Sequence, residues 1–395
     1  MIKRKKKNKE HNPFYDPTLK KRHVSAKRFK KFTLTSLIFS VAFLAFFLFD
    51  MIGKGIPAFN IAYIKADVTF NEKTLEDTRF AVPTEYRNLV SRAALRDLPK
   101  LLEENPTYMN STQNIWILAS SQVDQYIKNH NHNLKDKDIA KVDELYAQGL
   151  IDKKFNAIFF ENGDSKIPEY AGIFSAVIGS ILTLIITMAV AFPIGVMTAI
   201  YLEEFAGDNK FTRFIEININ NLAAIPSILF GLLGLAIFIN LFGMPRSSPL
   251  VGGLTLALMT LPIIIVSSRA ALRAVPDSIR QAGYGLGLNK IQVTRDHVLP
   301  LAFPGIMTGS IIGLAQAMGE TAPLIIIGMI AFIPDAPSMV TQAATVMPAQ
   351  LFTWAGMPEG MYIEKTAAGI LVLLTILISL NAIAIFLRKK FEVKW

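Results

Sequence analysis

Three stretches of this sequence contain no charged side chain: Phe32–Phe49, Tyr170–Leu202 and Thr366–Leu387. Two more contain one each, Arg246 between Ile217 and Ser268 and Glu320 between Val298 and Pro334. A helix of about 20 apolar residues crosses the roughly 30 Å hydrocarbon core of a bilayer, whereas a soluble domain rarely needs runs of that length. The spans predicted are Phe32–Phe49, Gly172–Leu202, Ala223–Phe242, Leu250–Ser267, Phe303–Ile333 and Ala367–Leu387. The fifth is long for a single crossing, and its Pro323 predicts a broken or re-entrant piece. Pro193 predicts a kink in the second, which neighbouring helices can compensate. The expected class is an all-α polytopic membrane protein with six transmembrane helices, and a soluble enzyme is excluded.

The net charge of +10 fits this topology. Taken together, residues 1–31, 203–216, 269–297 and 388–395 carry an excess of Lys and Arg, while the remaining segments carry an excess of acids. Short cytoplasmic segments rich in Lys and Arg set the orientation of a membrane protein. Both termini are therefore expected in the cytoplasm, with the chain in a bacterial plasma (inner) membrane. The basic balance is topological, and no nucleic-acid partner is expected. The sequence has no cysteine, which excludes disulfides and thiolate metal sites.

The expected domains are a basic cytoplasmic tail (1–31), a first transmembrane helix (32–50), an extracytoplasmic insert (51–169) and a transmembrane domain (170–395) whose longest inner loop is 269–300. The N-terminal pattern of charge followed by an apolar run resembles a signal peptide. Its long tail, and the lack of a small-x-small site soon after Asp50, predict an uncleaved span instead. In the polar insert, Ala62–Phe70 and Phe155–Phe160 are β-rich and predict strands. Tyr86, Leu89, Val90, Ala93, Ala94 and Leu98 fall at helical spacing, as do Ile139, Val142, Leu145 and Tyr146. A small α+β cap is the expectation. Asn105-Pro106 and Asn129–Asp138 predict loops. In a sequence without cysteine, His130 and His132 are expected to be surface residues rather than metal ligands.

The loop 269–300 is the most informative connection. It contains Gln281-Ala282-Gly283-Tyr284-Gly285-Leu286-Gly287, then nine residues, then His297-Val298-Leu299-Pro300. In spacing this resembles the EAA loop of ABC importer permeases, with Gln281, Gly283 and His297 departing from the usual letters. Three other segments resemble phosphate permeases more specifically: Ile225-Pro226-Ser227-Ile228-Leu229-Phe230-Gly231-Leu232, Ala302–Gly309, and Gly319-Glu320-Thr321-Ala322-Pro323-Leu324. From Gly172 onward the chain resembles the PstA-type permease family of phosphate ABC importers, in a long form with an insert after the first span. The resemblance implies the type I ABC importer permease fold and a coupling helix, carried here by Gln281, Ala282, Gly283 and Gly287, that docks on a separate ATPase. Small residues at Ala282 and Gly283 would permit close approach to that partner, and Gly287 would let the helix end. It also implies a PstC-type permease, two ATP-binding subunits and an extracytoplasmic phosphate-binding protein as partners, besides the lipid bilayer.

Glu320 also has a physical argument of its own. A carboxylate inside an apolar span costs about 2.5–3.5 kcal/mol on insertion scales and normally faces a bundle interior or water. It is expected either to organise a translocation path or to clasp two helices, with Gln316, Thr308, Ser310 and Thr321 as possible hydrogen-bond partners. Glu320, Gln316, Thr321 and Arg269 are the path candidates. Many relatives carry Arg where this chain has Gln316. They also read Arg-Thr-Thr-Glu-Glu where it has Val266-Ser267-Ser268-Arg269-Ala270, which leaves three expectations open: a partner supplies the positive charge, Arg269 and hydroxyls replace it, or the substrate passes with few direct contacts. Pro226, Pro262, Gly231, Gly234, Gly252 and Gly253 are read first as kinks and packing contacts. Gly285–Lys290 lacks the ending of a P-loop, so no cofactor and no ATP site of its own are expected, and the chain is read as a transporter subunit rather than an enzyme. Two alternatives stay open: a permease for sulfate, molybdate or another solute, and a membrane sensor.

Overall fold

The computed structural model describes residues 18–330 and 332–391. The predicted tail up to Pro17 lies outside the described residues. The chain divides into two compact units at Ile52/Gly53. The first is a helix that continues to Gly55 and begins at Leu19, well before the predicted start at Phe32. The reason is local. No Gly or Pro interrupts the chain between Thr18 and Ile52, and Lys and Arg are good helix formers. Phe39, Phe43, Phe46 and Phe49 are all exposed. A helix that is apolar all round has lipid as its natural surroundings.

The second unit opens with the insert, a three-stranded antiparallel sheet in the order β2-β1-β3. Strand β1 is Asn60–Phe70, β2 is Ser111–Leu118 and β3 is Ile151–Phe155. Ala62, Ile64, Ala66, Val68 and Phe70 alternate along β1 and enter one core with Leu89, Val90, Leu95, Val142 and Leu145. The strand predicted at Phe155–Phe160 is corrected. Strand β3 ends at Phe155, and Asn156 caps a short helix, Ala157–Glu161, by accepting from the Phe159 N–H at 3.2 Å. The helix predicted through Tyr86–Leu98 is also broken. Ser91 N–H donates to Leu118 O at 2.8 Å and Ser120 N–H donates to Leu89 O at 2.8 Å, which stitches Leu89–Ser91 to the end of β2. Helix therefore starts only at Arg92, stops at Arg96, and restarts as Leu98–Glu104 with Pro99 in its first turn. The predicted helical set Ile139–Tyr146 lies within the helix Asp136–Ala147.

Among the described residues, five helices are long and apolar enough to cross a membrane, or six if one bent pair counts as a span. The second span, Phe174–Ile200, runs into a π turn, Tyr201–Phe205. Part of the predicted inner loop 203–216 is in fact the first arm of an elbow. Lys210–Ala223 meets Ser227–Leu241 at a 103° bend, with Pro226 at the corner. The fourth span, Pro249–Arg273, carries a buried Pro262 and packs along the second. The fifth, Leu299–Gly319, stops short of the predicted Ile333; Glu320 and Thr321 break it, and a short helix Ala322–Ile326 follows. The last, Gly360–Phe391, begins before the predicted Ala367, and the helix Met347–Ala355 lies in the segment between the last two predicted spans. Gly234 and Gly253 serve packing. A Cβ at the first would lie 2.2 Å from Thr255 Oγ1, and one at the second 2.6 Å from Ile186 Cβ.

Candidate functional site

Three places combine charge with structure: the inner loop, the break in the fifth span, and the junction between the insert and the last span.

At the inner loop, Asp277–Gly285 forms a helix that follows Pro276, which leads it with the extended backbone a proline favours. Arg280 holds it in place. Its guanidinium pairs with Glu204 in the π turn (Nη2–Oε1 2.7 Å, Nε–Oε2 3.3 Å) and donates to Leu272 O in the last turn of the fourth span at 3.0 Å and to Val275 O just beyond it at 2.8 Å. The Glu204 carboxylate is almost fully buried. Paired Arg and carboxylate in this two-pronged form are among the stronger charge-assisted contacts. Below them lies an apolar cluster with Leu202, Ile265, Leu272, Val293 and Ile306. The helix ends as the sequence suggests: Gly287 has φ +81°, and Leu288 N–H reaches back to Gly283 O at 3.2 Å.

Gln281, Ala282, Tyr284 and Leu286 are exposed on this helix. Beside Ala282 and Leu286 opens a cavity of about 350 Å³, floored by Ile279, Pro300 and Leu301. Gly283 faces the chain's own side chains. It is buried, and a Cβ there would stand 2.8 Å from Val293 Cγ2, so its smallness serves contact within the chain. Arg269 lies in the same region, bonded to Glu203 at 3.3 Å and Glu216 at 2.5 Å, with 12% of its side chain exposed. Its charge is thus committed to two carboxylates.

At the break, Glu320 adopts an extended backbone (φ −78°, ψ 125°) just after the fifth span ends. The short helix beyond it packs on Ser227–Gly234, where a Cβ at Gly231 would lie 2.7 Å from Pro323 Cα. Two motifs nearly a hundred residues apart thus meet face to face. Glu320 is partly buried and Gln316 exposed. Among the described residues neither these side chains nor Thr321 has a hydrogen-bond or ion-pair partner. Thr308 and Ser310 do not approach Glu320. Thr308 Oγ1 donates to Pro304 O at 2.8 Å and accepts from Arg388 Nη1 at 3.0 Å, while Ser310 Oγ donates to Ile306 O at 2.9 Å.

At the junction, Lys365 on the last span is 1% exposed and donates to three carbonyls, Pro168 O (2.6 Å), Glu169 O (3.2 Å) and Ala171 O (2.6 Å). Glu364 bonds Gln125 Nε2 at 2.6 Å and Lys128 Nζ at 3.0 Å, and also meets the His130 ring. His130 therefore has an acidic partner more than two hundred residues away, which no local spacing can reveal. Trp354 Nε1 donates to Asp164 Oδ1 at 2.8 Å. Burial pushes the Asp164 carboxyl up to about 6, although the Trp354 and Ser165 N–H donors favour its charged form. Burial likewise raises Glu169, which accepts from Ser121 N–H at 2.9 Å, and Asp124, which faces Lys128. Glu204, Arg280, Lys365 and Asp164 escape sequence reasoning. Their only signal is charge placed where apolar runs end.

Residues 191–393 match the family model described as a binding-protein-dependent transport system inner membrane component. The chain belongs to that family. A second model, described as a domain of unknown function, matches residues 16–86 and 81–136 of this permease-family chain. Among its relatives, the phosphate transport system permease protein PstA of Mycobacterium leprae is 36% identical over 160 residues, 40% of this chain and 52% of that protein. The protein of the same name from Yersinia pestis is 31% identical over 245 residues, 61% of this chain and 81% of that one. The chain thus spans about half the length of the first relatives it matches. Among solved structures, the MetNI methionine ABC transporter in an inward-facing conformation aligns with 56% of this chain and 95% of its own, at 14% identity and a TM-score of 0.43.

Proposed function

We propose that this chain is the membrane-spanning permease subunit of an ABC importer that carries inorganic phosphate across the bacterial inner membrane, with both termini cytoplasmic. ATP is hydrolysed on two partner subunits, a PstC-type permease completes the path, and an extracytoplasmic phosphate-binding protein delivers the substrate. The observation that supports this best is the seating of Gly319–Leu324 on Ser227–Gly234, which joins the two phosphate-type signatures into one structural unit. The relatives named PstA support the same substrate.

In this reading Glu320, Gln316 and Thr321 face the path. An ionised carboxylate repels a phosphate anion, so Glu320 acts by organising the path through a basic group of the partner permease. Gln281, Ala282, Tyr284 and Leu286 offer the surface on which the ATPase docks, while Gly283 and Gly287 shape the helix that bears them. Arg269, bonded to Glu203 and Glu216, latches the inner ends of the helices together. The test is uptake of labelled phosphate at low concentration in cells lacking the chain, with and without the gene restored. Loss and recovery, insensitive to excess sulfate or molybdate, is the expected result. Unchanged uptake in cells without another phosphate system would transfer the assignment to a different solute.

A further inference from the structure

The insert holds a feature that transport through the membrane helices does not use. All four of its arginines, Arg79, Arg87, Arg92 and Arg96, line one cleft of about 640 Å³, and Arg87, Arg92 and Arg96 also border a neighbouring cavity of about 700 Å³ that carries Asp138, Glu169 and Glu359. The cleft has one carboxylate, Asp77, and Arg79 already occupies it with a contact of 2.6 Å. Among the described residues, Arg87, Arg92 and Arg96 make no ion pair, although the Arg87 charge also helps to hold Asp77 ionised. Arg87 lies over the Phe80 ring at 4.7 Å, and its Nε is buried without a hydrogen-bond partner. A buried donor left unpaired is uncommon, because its desolvation goes uncompensated.

The sequence builds this arrangement on firm ground. Arg92 and Arg96 stand four residues apart on one helical turn and so share a face. The opposite face buries Ala93 and Leu95, and Ser91 caps the turn by accepting from Ala93 N–H at 3.3 Å. Arg87 precedes the segment Leu89–Ser91 that is bonded to the end of β2. The guanidiniums are thus carried by backbone tied to the core of the insert, which reduces the entropy lost when a ligand is gripped.

We propose that this cleft is an oxyanion site that takes a phosphate group, either free inorganic phosphate or the headgroup of an anionic lipid. A phosphate group offers several acceptor oxygens to planar guanidinium forks, which bind it bidentately. The lining of this cleft holds no carboxylate besides the paired Asp77, which favours an anion there, and the unpaired Arg87 Nε supplies a donor that awaits an acceptor. The site is independent of the transport reading, because it concerns the insert and is read by binding.

The experiment uses the full chain purified in dodecyl maltoside, a detergent without phosphate, and measures equilibrium binding of labelled inorganic phosphate. The wild type is expected to show saturable binding that weakens at least about tenfold in R92Q/R96Q, which loses two charge-assisted contacts. K100Q, at an exposed lysine of the insert outside the cleft lining, is expected to stay within about twofold. Both Arg92 and Arg96 are exposed, and the single variants replace the double one if it loses its thermal transition. Short-chain phosphatidylglycerol that displaces phosphate from the wild type assigns the site to lipid; failure to displace it assigns the site to the free ion. Equal phosphate binding in wild type and R92Q/R96Q, or no saturable binding at all, overturns the proposal. Absence of phosphate uptake by cells would leave the site standing.

Discussion

The Arg280 guanidinium grips the buried carboxylate of Glu204 across 76 residues of sequence, at 2.7 and 3.3 Å, while also bonding Leu272 O in the last turn of the fourth span. One side chain thereby fixes the inner helix Asp277–Gly285 to the ends of two spans. Removing one member of a buried pair strands the other without compensation, which costs about 3 kcal/mol or more. R280A is expected to lower the thermal midpoint of the purified protein and to loosen the loop, seen as faster proteolysis at Asp277–Gly287. R280K, which keeps charge but loses the fork, is expected to fall between. If R280A left both midpoint and proteolysis unchanged, the pair would have no structural role.

Gly283 faces Val293 so closely that G283A forces a clash, since the new Cβ would stand 2.8 Å from Val293 Cγ2. Overpacking of this kind costs about 1–3 kcal/mol. V293A supplies the missing space, so the G283A/V293A double variant is expected to be more stable than the sum of the single effects. A double-mutant cycle on thermal unfolding measures this coupling. Additive effects would show that the two residues do not touch.

Glu320 sits at the broken end of the fifth span with no partner among the described residues. If it organises a path completed by another subunit, E320Q keeps the shape and loses the charge. Phosphate uptake is then expected to fall to the level of cells lacking the chain, while copurification of the partner subunits persists. Uptake at the wild-type level would leave Glu320 as a polar clasp between helices.

Asp164 supplies a pH signature. Its folded value of about 6 lies above the ordinary 3.8, so the folded form holds a proton that the unfolded chain releases. The associated stabilisation is fully present below the unfolded value and is lost as pH rises through about 6. Lys365 and Tyr362 are the charged and titratable neighbours contributed by the last span. D164N keeps an acceptor for Trp354 and stays neutral. It is expected to be at least as stable as wild type at pH 7 and to flatten the pH dependence of unfolding between about pH 4 and 7. An unchanged pH profile in D164N would assign the dependence to other groups.

The membrane part was legible because lipid imposes a single rule, the exclusion of charge over some twenty residues, and that rule leaves long unambiguous runs. The broken end at Glu320 was legible for the same reason, since the apolar run is too long for one crossing. The elbow at Pro226 was hidden because Lys210–Ala223 is amphipathic and reads as a loop. In the insert, β1 was visible through its alternation. Strand β2 was not, because Ser111–Asn114 makes its first half polar. Asn156 ended β3 early by capping a helix, a choice that depends on a single side chain. The two motif groups were legible as sequences, but their contact through Gly231 and Pro323 was not. Ion pairs such as Arg280–Glu204 and His130–Glu364 join distant segments, so no periodicity encodes them.

The last span is tied twice. Lys365 secures one end to three carbonyls at and just beyond the close of the insert, and Arg388 reaches Thr308 of the fifth span at 3.0 Å near the other end. At 1.5 Å of rise per residue, these anchor points are roughly 35 Å apart along one uninterrupted helix. The span is therefore a strut of fixed length between the insert and the fifth span. While both ties hold, neither end can slide along that axis without the other, so a spectroscopic label placed on the insert would register the position of the fifth span from the opposite end of the strut.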